Sequence, residues 1–193
     1  MDEALKELNA KAYAMTLKKE EALNQWLDEQ LKARLIVESK SRYTAPCFYI
    51  PKKDSSLQLV QDYRKLNQIT IKDKTPRPLI GEVIDKLKEV RYFNKLDLIW
   101  GYNNVQIKEG DEWKAAFLTN KGLFKPQVMY FGLYNSLGTF QRMMNSVFWE
   151  LLDEGILANY MDDFIIPART KEELEERTIK FLKIAEKHQL CFK

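Results

Sequence analysis

Residues Ala158–Ile166 read ANYMDDFII, and the reading of this stretch decides the fold. Two adjacent carboxylates, Asp162 and Asp163, stand between apolar runs, Gly155-Ile156-Leu157 before them and Phe164-Ile165-Ile166 after. Such flanks around a polar centre predict a strand, a tight turn and a second strand. Asp is a favoured turn residue, so the pair can be the tip of a hairpin. Adjacent carboxylates also repel, and one takes up a proton unless a cation lies between them, so the pair can equally be half of a metal site.

Upstream, NKLDLIW carries a second acidic strand position. Period-two alternation puts Leu96 and Leu98 on one face and Lys95 and Asp97 on the other. Asp is disfavoured in strands, so Asp97 is either a solvent-facing residue or a functional one. Taken with Asp162 and Asp163, it supplies only hard oxygen ligands, which select Mg²⁺ or Mn²⁺ rather than zinc. Two such ions roughly 4 Å apart stabilise the attacking and leaving oxygens of an in-line phosphoryl displacement. The carboxylates therefore point to phosphoryl or nucleotidyl transfer.

The composition narrows the field. One histidine, His188, and two cysteines, Cys47 and Cys191, without metal spacing exclude His-based hydrolysis and zinc sites. A net charge of +3 does not announce a nucleic-acid binder, because local clustering decides that. No run of about 18 apolar residues predicts a membrane span. The amphipathic, acidic start MDEALKELNAK is not a secretory signal, so an intracellular location is expected.

Helical stripes are predicted at Leu23, Trp26, Leu27, Leu31 and Leu35, at Leu79, Val83, Ile84 and Leu87, over Ser136–Asp153, and at Leu174, Phe181, Leu182 and Ala185. CFYIPKKDSSLQLVQDY predicts a hairpin turning at Asp54-Ser55-Ser56, and NNVQIKE, KAAFLT and LFKPQVMY predict further strands. Helices packed against an antiparallel sheet make the class α+β.

Read in order, PKKDSS, QDYRKLNQITIKD, YFNKLDLIWGYNNVQI, DEWKAAF, YFGLYNSLGTFQRMMN and NYMDDFII resemble the reverse transcriptase of gypsy-type LTR retrotransposons and, more distantly, of retroviruses. The resemblance runs from about Met15 to Lys193. It implies a right-hand polymerase of fingers and palm on a ferredoxin-like antiparallel sheet. Residues 1–16 would be a linker-like lead, 17–72 and 105–135 the fingers, and 73–104 and 136–193 the palm. A thumb and RNase H would belong to the remainder of a polyprotein and are absent from this chain.

By the same resemblance, Asp97, Asp162 and Asp163 are expected to hold two Mg²⁺ (or Mn²⁺) ions that align a primer 3′-hydroxyl with a dNTP. Tyr102 would be the steric gate against ribose, and Lys52, Lys53, Gln58, Phe131, Gly132 and Gln141 would form the nucleotide site. Asp62, Arg64, Asn67, Tyr160 and Met161 would face an RNA or DNA template and its primer. No membrane is expected, and the location would be cytoplasmic or within retroelement particles. Several positions depart from the family pattern: Gln58 stands where arginine is usual, Leu137 where proline is usual and Arg77 where an apolar residue is usual, and Trp149 and Lys125 are also unusual. Two readings follow, a polymerase core and a folded retroelement relic without chemistry.

Overall fold

The computed structural model describes residues 11–52, 56–75, 80–88 and 90–193. Lys53, the Asp54-Ser55 part of the expected turn and the Pro76–Leu79 stretch lie outside the described residues. The chain divides into two compact units. One comprises residues up to Lys72 and Tyr102–Ser136, and the other Asp73–Gly101 and Leu137–Lys193.

The first unit opens with α1 (Leu17–Lys32), which buries Leu23 and Leu27, one turn apart. Trp26, beside them, meets Phe117 and Tyr130 edge-on at 6.0 and 6.3 Å. Five strands follow: β1 (Ile36–Glu38), β2 (Ala45–Pro51), β3 (Leu57–Gln61), β5 (Phe117–Thr119) and β6 (Gly122–Pro126), in the order β1-β6-β5-β2-β3. Along β2, Ala45, Cys47 and Tyr49 are buried while Pro46 and Phe48 are half-buried and Ile50 exposed. The β2–β3 register opposes Ile50 to Gln58 and Tyr49 to Leu59, so Gln58 lies on the face turned from the core. The short helix α2 (Arg64–Ile69) follows β3.

Two expected strands come out differently. The segment from Gly101 to Asn104 is a 3₁₀ turn, and Gln106 makes only an isolated bridge to Val128. In KAAFLT a second 3₁₀ turn takes Glu112–Ala115, leaving Phe117–Thr119 as strand. The polar flanks Asn103-Asn104 and Glu109-Gly110-Asp111 interrupt the alternation that a longer strand needs.

The second unit is built on β4 (Tyr92–Asp97), β7 (Ala158–Tyr160) and β8 (Asp163–Ala168), an antiparallel sheet ordered β4-β8-β7. The segment Cys191–Lys193 lies along the free side of β4, with Ile99 N–H donating to Cys191 and Asp97 and Lys193 exchanging backbone hydrogen bonds of 3.0 Å. With that segment the order is the split βαβ of ferredoxin-like folds. Helices α3 (Ile80–Leu87), α4 (Ser136–Val147), α5 (Trp149–Asp153) and α6 (Lys171–Lys187) complete the unit.

The expected single helix over Ser136–Asp153 breaks at Phe148, whose backbone (φ −108°, ψ 21°) leaves the helical region. The break lets the fully buried Phe148 ring stack on Phe181 at 4.7 Å with 8° between the planes. Phe164 and Phe192 close the cluster, 5.2 Å apart and edge to face. On α6 the buried line runs through Phe181 and Ala185, and Leu182 turns outward, contrary to expectation, because adjacent residues on a helix point about 100° apart. Ile84 is likewise exposed. Leu137 lies in the first turn of α4, where proline and a good helix former are both accommodated.

Asp73 accepts hydrogen bonds from the Thr75 hydroxyl and amide, at 2.7 and 2.9 Å, and from Arg142 of α4. Those donors, Thr75 first and Arg142 next, hold its carboxyl down to about 2. A depressed carboxyl stabilises the fold fully above its unfolded value of 3.8 and ceases to do so as pH falls through about 2. Asp73→Asn should therefore remove part of the acid sensitivity of unfolding between those limits, as followed by circular dichroism. Phe148→Ala should lower the unfolding free energy by about 3–5 kcal/mol in denaturant melts, as expected for emptying a fully buried aromatic site.

Candidate functional site

The β4–β8 register sets Asp97 directly opposite Asp163, and Tyr160 opposes Asp163 from the other side. Directly opposed residues share a face, so Phe93, Lys95 and Asp97 of β4 and Asp163 and Ile165 of β8 form one surface. The other face carries Asn94, Leu96, Phe164 and Ile166 and is covered by helices: Phe164 packs on Phe181, and Asn94 donates to the Thr178 hydroxyl at 2.9 Å. The carboxylates therefore occupy the face left to solvent, with Asp97 and Asp163 side chains 42% and 45% exposed.

Two carboxylates in register would repel, and Lys95 answers them. Its Nζ lies 2.6 Å from Asp163 Oδ1 and also pairs with Asp97 Oδ1. The hydrogen bonds to Asp163 and to Asp97 raise the lysine well above its ordinary range. Lys95, and then the nearby Asp163 carboxyl, hold Asp97 below the usual carboxylate range. Two hard oxygens thus converge on one positive centre, and oxygens of this kind are the donors that hard divalent cations take. Among the described residues no group of three or more acidic, histidine or cysteine side chains is gathered tightly enough to form a metal cluster. The convergence rests on Asp97 and Asp163, with Asp162 next to them in the turn.

That turn is strained. Tyr160 pairs with Asp163, leaving Met161 and Asp162 as a two-residue loop, and Met161 takes φ 60°. A positive φ at the first central residue is the primed hairpin geometry, usually filled by glycine. A methionine there costs on the order of 1–3 kcal/mol and must be held by its surroundings. The holder is Gln141 of α4, only 3% exposed. Its Oε1 accepts from Met161 N–H at 3.2 Å, and its Nε2 donates to Asn145 and Asn159 at 2.9 and 3.0 Å. Gln141 is thus spent on positioning the turn, and its amide is not offered to a ligand. Asp162 carbonyl accepts from Leu98 N–H at 3.0 Å, tying the turn to the end of β4.

In the first unit the remaining expected residues fall into four groups. Tyr102 meets Phe131 edge-on at 4.7 Å and 88°. Gly132 takes φ +95°, and a side chain there would approach Gln61 carbonyl and the Tyr63 ring at 3.5 Å. Asn67 brackets this bend, donating to Gly132 carbonyl at 2.6 Å and accepting from Tyr134 N–H at 2.8 Å. Asp62 forks the Arg64 guanidinium, at 2.9 and 2.6 Å, and both border a cavity of about 510 Å³ lined also by Tyr13, Tyr43 and Lys65. The Asp62 carboxyl is lowered chiefly by that hydrogen bond. Lys52 and Gln58 lie on the β2–β3 hairpin, with Lys52 N–H donating to Ser56 carbonyl at 2.8 Å.

Lys95 is the residue that sequence reasoning left without a role. Its signal was present in the alternation, since position 95 must share a strand face with position 97.

A family model described as reverse transcriptase (RNA-dependent DNA polymerase) matches residues 50–193. The chain is 37% identical over 183 residues to the retrovirus-related Pol polyprotein from transposon 297 of Drosophila melanogaster, covering 92% of this chain and 17% of that polyprotein. It is 39% identical over 137 residues to an RNA-directed DNA polymerase homolog of Oenothera berteroana, covering 71% of this chain and 95% of the homolog. A foamy viral protease-reverse transcriptase solved with an RNA/DNA hybrid superposes with a TM-score of 0.83 at 21% identity, over 92% of this chain and 24% of that one.

Removing the Gln141 acceptor should free the strained turn. Gln141→Leu should cost about 1–3 kcal/mol in denaturant unfolding, as expected when buried amide partners are left unpaired, and the Met161 amide should exchange with solvent measurably faster.

Proposed function

This chain belongs to the reverse transcriptase (RNA-dependent DNA polymerase) family, and from that membership we propose that it is an RNA-directed DNA polymerase core, transferring nucleotides from dNTPs to a primer 3′-hydroxyl. The observation that carries the reading is the pairing of Asp97 with Asp163 on the uncovered sheet face, beside a turn held in a strained geometry by a buried glutamine.

In this reading the second unit is the palm and the first the fingers. Asp97, Asp162 and Asp163 would hold Mg²⁺, with Mn²⁺ as a substitute. The bound ions supply charge neutralisation and alignment for in-line displacement at a phosphorus. The chain's own part is to fix the carboxylates: the β4–β8 register sets their separation, and Gln141 sets the turn that carries Asp162. Little covalent chemistry falls to the protein, so positioning and electrostatics carry the rate.

The fingers residues complete the proposal. Tyr102, braced by Phe131, would reject a ribose 2′-hydroxyl. Lys52 and Gln58 would approach the triphosphate from the hairpin. Arg64, oriented by Asp62, and Asn67 would lie toward the template strand. The foamy viral neighbour solved with an RNA/DNA hybrid supports a nucleic-acid partner. The thumb and RNase H regions would be supplied by the rest of a longer polyprotein, since the chain spans 17% of the transposon 297 relative. No helix among the described residues is long and apolar enough to cross a membrane, and an intracellular or particle-borne location accords with the proposal. The relic reading is not favoured by the comparisons, and Asp97, Asp162, Asp163 and Tyr102 are all in place.

The test is primer extension on an oligo(dT)-primed poly(rA) template with Mg²⁺. Asp162→Asn should lower incorporation by at least about a hundredfold, the scale on which single electrostatic groups act in such sites. Equal incorporation by the two proteins would reject the proposal.

A further inference from the structure

We propose that Lys95 is a built-in counter-cation that holds the Asp97–Asp163 pair in register in the metal-free protein and competes with the divalent ion for the same oxygens. The inference rests on the reading of those aspartates as metal ligands, and it adds a positioning residue that the proposed reaction does not itself require.

Antiparallel pairing places Asp97 and Asp163 opposite one another, where like charges on facing strand positions destabilise a sheet. Nothing in the backbone can relieve this, because Asp97 is also hydrogen-bonded on its far side to Lys193. Relief has to come from cations near that face. Lys193, opposite Asp97 across the sheet edge, helps to lower that one carboxyl, and a cation serving both carboxylates is allowed at positions two residues away along the strands. On β4 those positions are Lys95 and Ile99, and on β8 the residue two beyond Asp163 is Ile165. Lys95 is the one cation among them, and its Nζ reaches both carboxylates at once.

A four-carbon stem with a compact ammonium suits this role. It can set a point charge between two oxygens and can also swing away, because the Lys95 side chain is 49% exposed. An ammonium and a hard divalent ion seek the same atoms, Asp97 Oδ1 and Asp163 Oδ1. A divalent ion entering there must break both ion pairs and send Lys95 to solvent. Exposed ion pairs are individually weak, so the competition is surmountable, on the order of tenfold in apparent metal affinity. Lys95 would thus keep the carboxylates aligned before the metal arrives, at the cost of weaker metal binding by the free protein.

The experiment measures Mn²⁺ binding by the free-ion electron paramagnetic resonance signal, for the wild type, Lys95→Met, Lys95→Arg and Asp97→Asn. Lys95→Met should bind Mn²⁺ about tenfold more tightly, while Lys95→Arg, which keeps the charge, should stay near wild type. Unchanged or weaker binding by Lys95→Met would overturn the inference, as would equal tightening by Lys95→Arg. A second readout needs no variant. Acetylation of Lys95, mapped by mass spectrometry, should rise severalfold when Mg²⁺ is added, with other lysines unaffected. Constant Lys95 reactivity would also overturn the inference. Identical Mn²⁺ affinity in wild type and Asp97→Asn would instead sink the metal-ligand reading, and this inference with it.

Discussion

Everything in the second unit is arranged around one electrostatic constraint: two carboxylates held opposite each other across a pair of hydrogen-bonded strands. A sheet has no inherent reason to accept Asp97 facing Asp163. It does so because three things coincide. The face they occupy is left to solvent, Lys95 bridges them, and the strands beneath are clamped by an aromatic cluster of Phe148, Phe164, Phe181 and Phe192. The charged face is tolerated because the opposite face is so thoroughly apolar, with Phe148, Phe164 and Phe181 fully buried.

A second constraint couples helix to hairpin. The Met161 backbone sits where glycine would be at ease, and glycine there would let the turn wander. A side-chain-bearing residue in the left-handed region, tied to the buried Gln141, exchanges conformational ease for a fixed direction of the chain at Asp162. Gln141 is fixed in turn by Asn145 one helical turn along α4 and by Asn159 on β7. Three amide side chains and one strained peptide thus form a single polar network under the turn. Such networks specify one geometry to the extent that their members find partners, and here the buried Asn159 Nδ2 is left without one while the Gln141 amide is fully engaged. Strain is stored where, on the proposed function, position matters most.

Much of this was legible in the sequence, for physical reasons that differ by element. The hairpin around Asp162-Asp163 and the strand of Asp97 follow from apolar alternation, which is local and strong. Helix α6 emerged with its expected span, Lys171–Lys187, because Thr170 caps it through a hydrogen bond from Glu173 N–H and its apolar stripe is periodic. What local pattern could not carry was pairing. The opposition of Asp97 and Asp163 belongs to a register between segments more than sixty residues apart. The break of the long helix at Phe148 is equally non-local, since it answers to Phe181 and Phe192. Propensity favours continuing the helix, and the stacked rings override it. Leu182 and Ile84 show the same limit in reverse: apolar residues of a periodic pattern that find no covering element.

Two of the departures from the family pattern weigh differently by their place in the fold. Leu137 occupies the first turn of α4, where proline is welcome but not needed, so its replacement leaves the helix start intact. Gln58 has no such excuse. It lies on the outward face of the β2–β3 hairpin opposite Ile50, with no core-packing role to account for its choice. An arginine at that place would offer a planar fork of donors to an anion, and glutamine offers one neutral amide. On the proposed function the difference, about 1.5–3 kcal/mol for a charged hydrogen bond, would fall on anion affinity and not on folding. The two substitutions therefore act on separate quantities. The carboxylate pair and its supporting network are untouched by either, and any loss traced to Gln58 would be one of nucleotide grip, with the alignment of Asp97, Asp162 and Asp163 preserved.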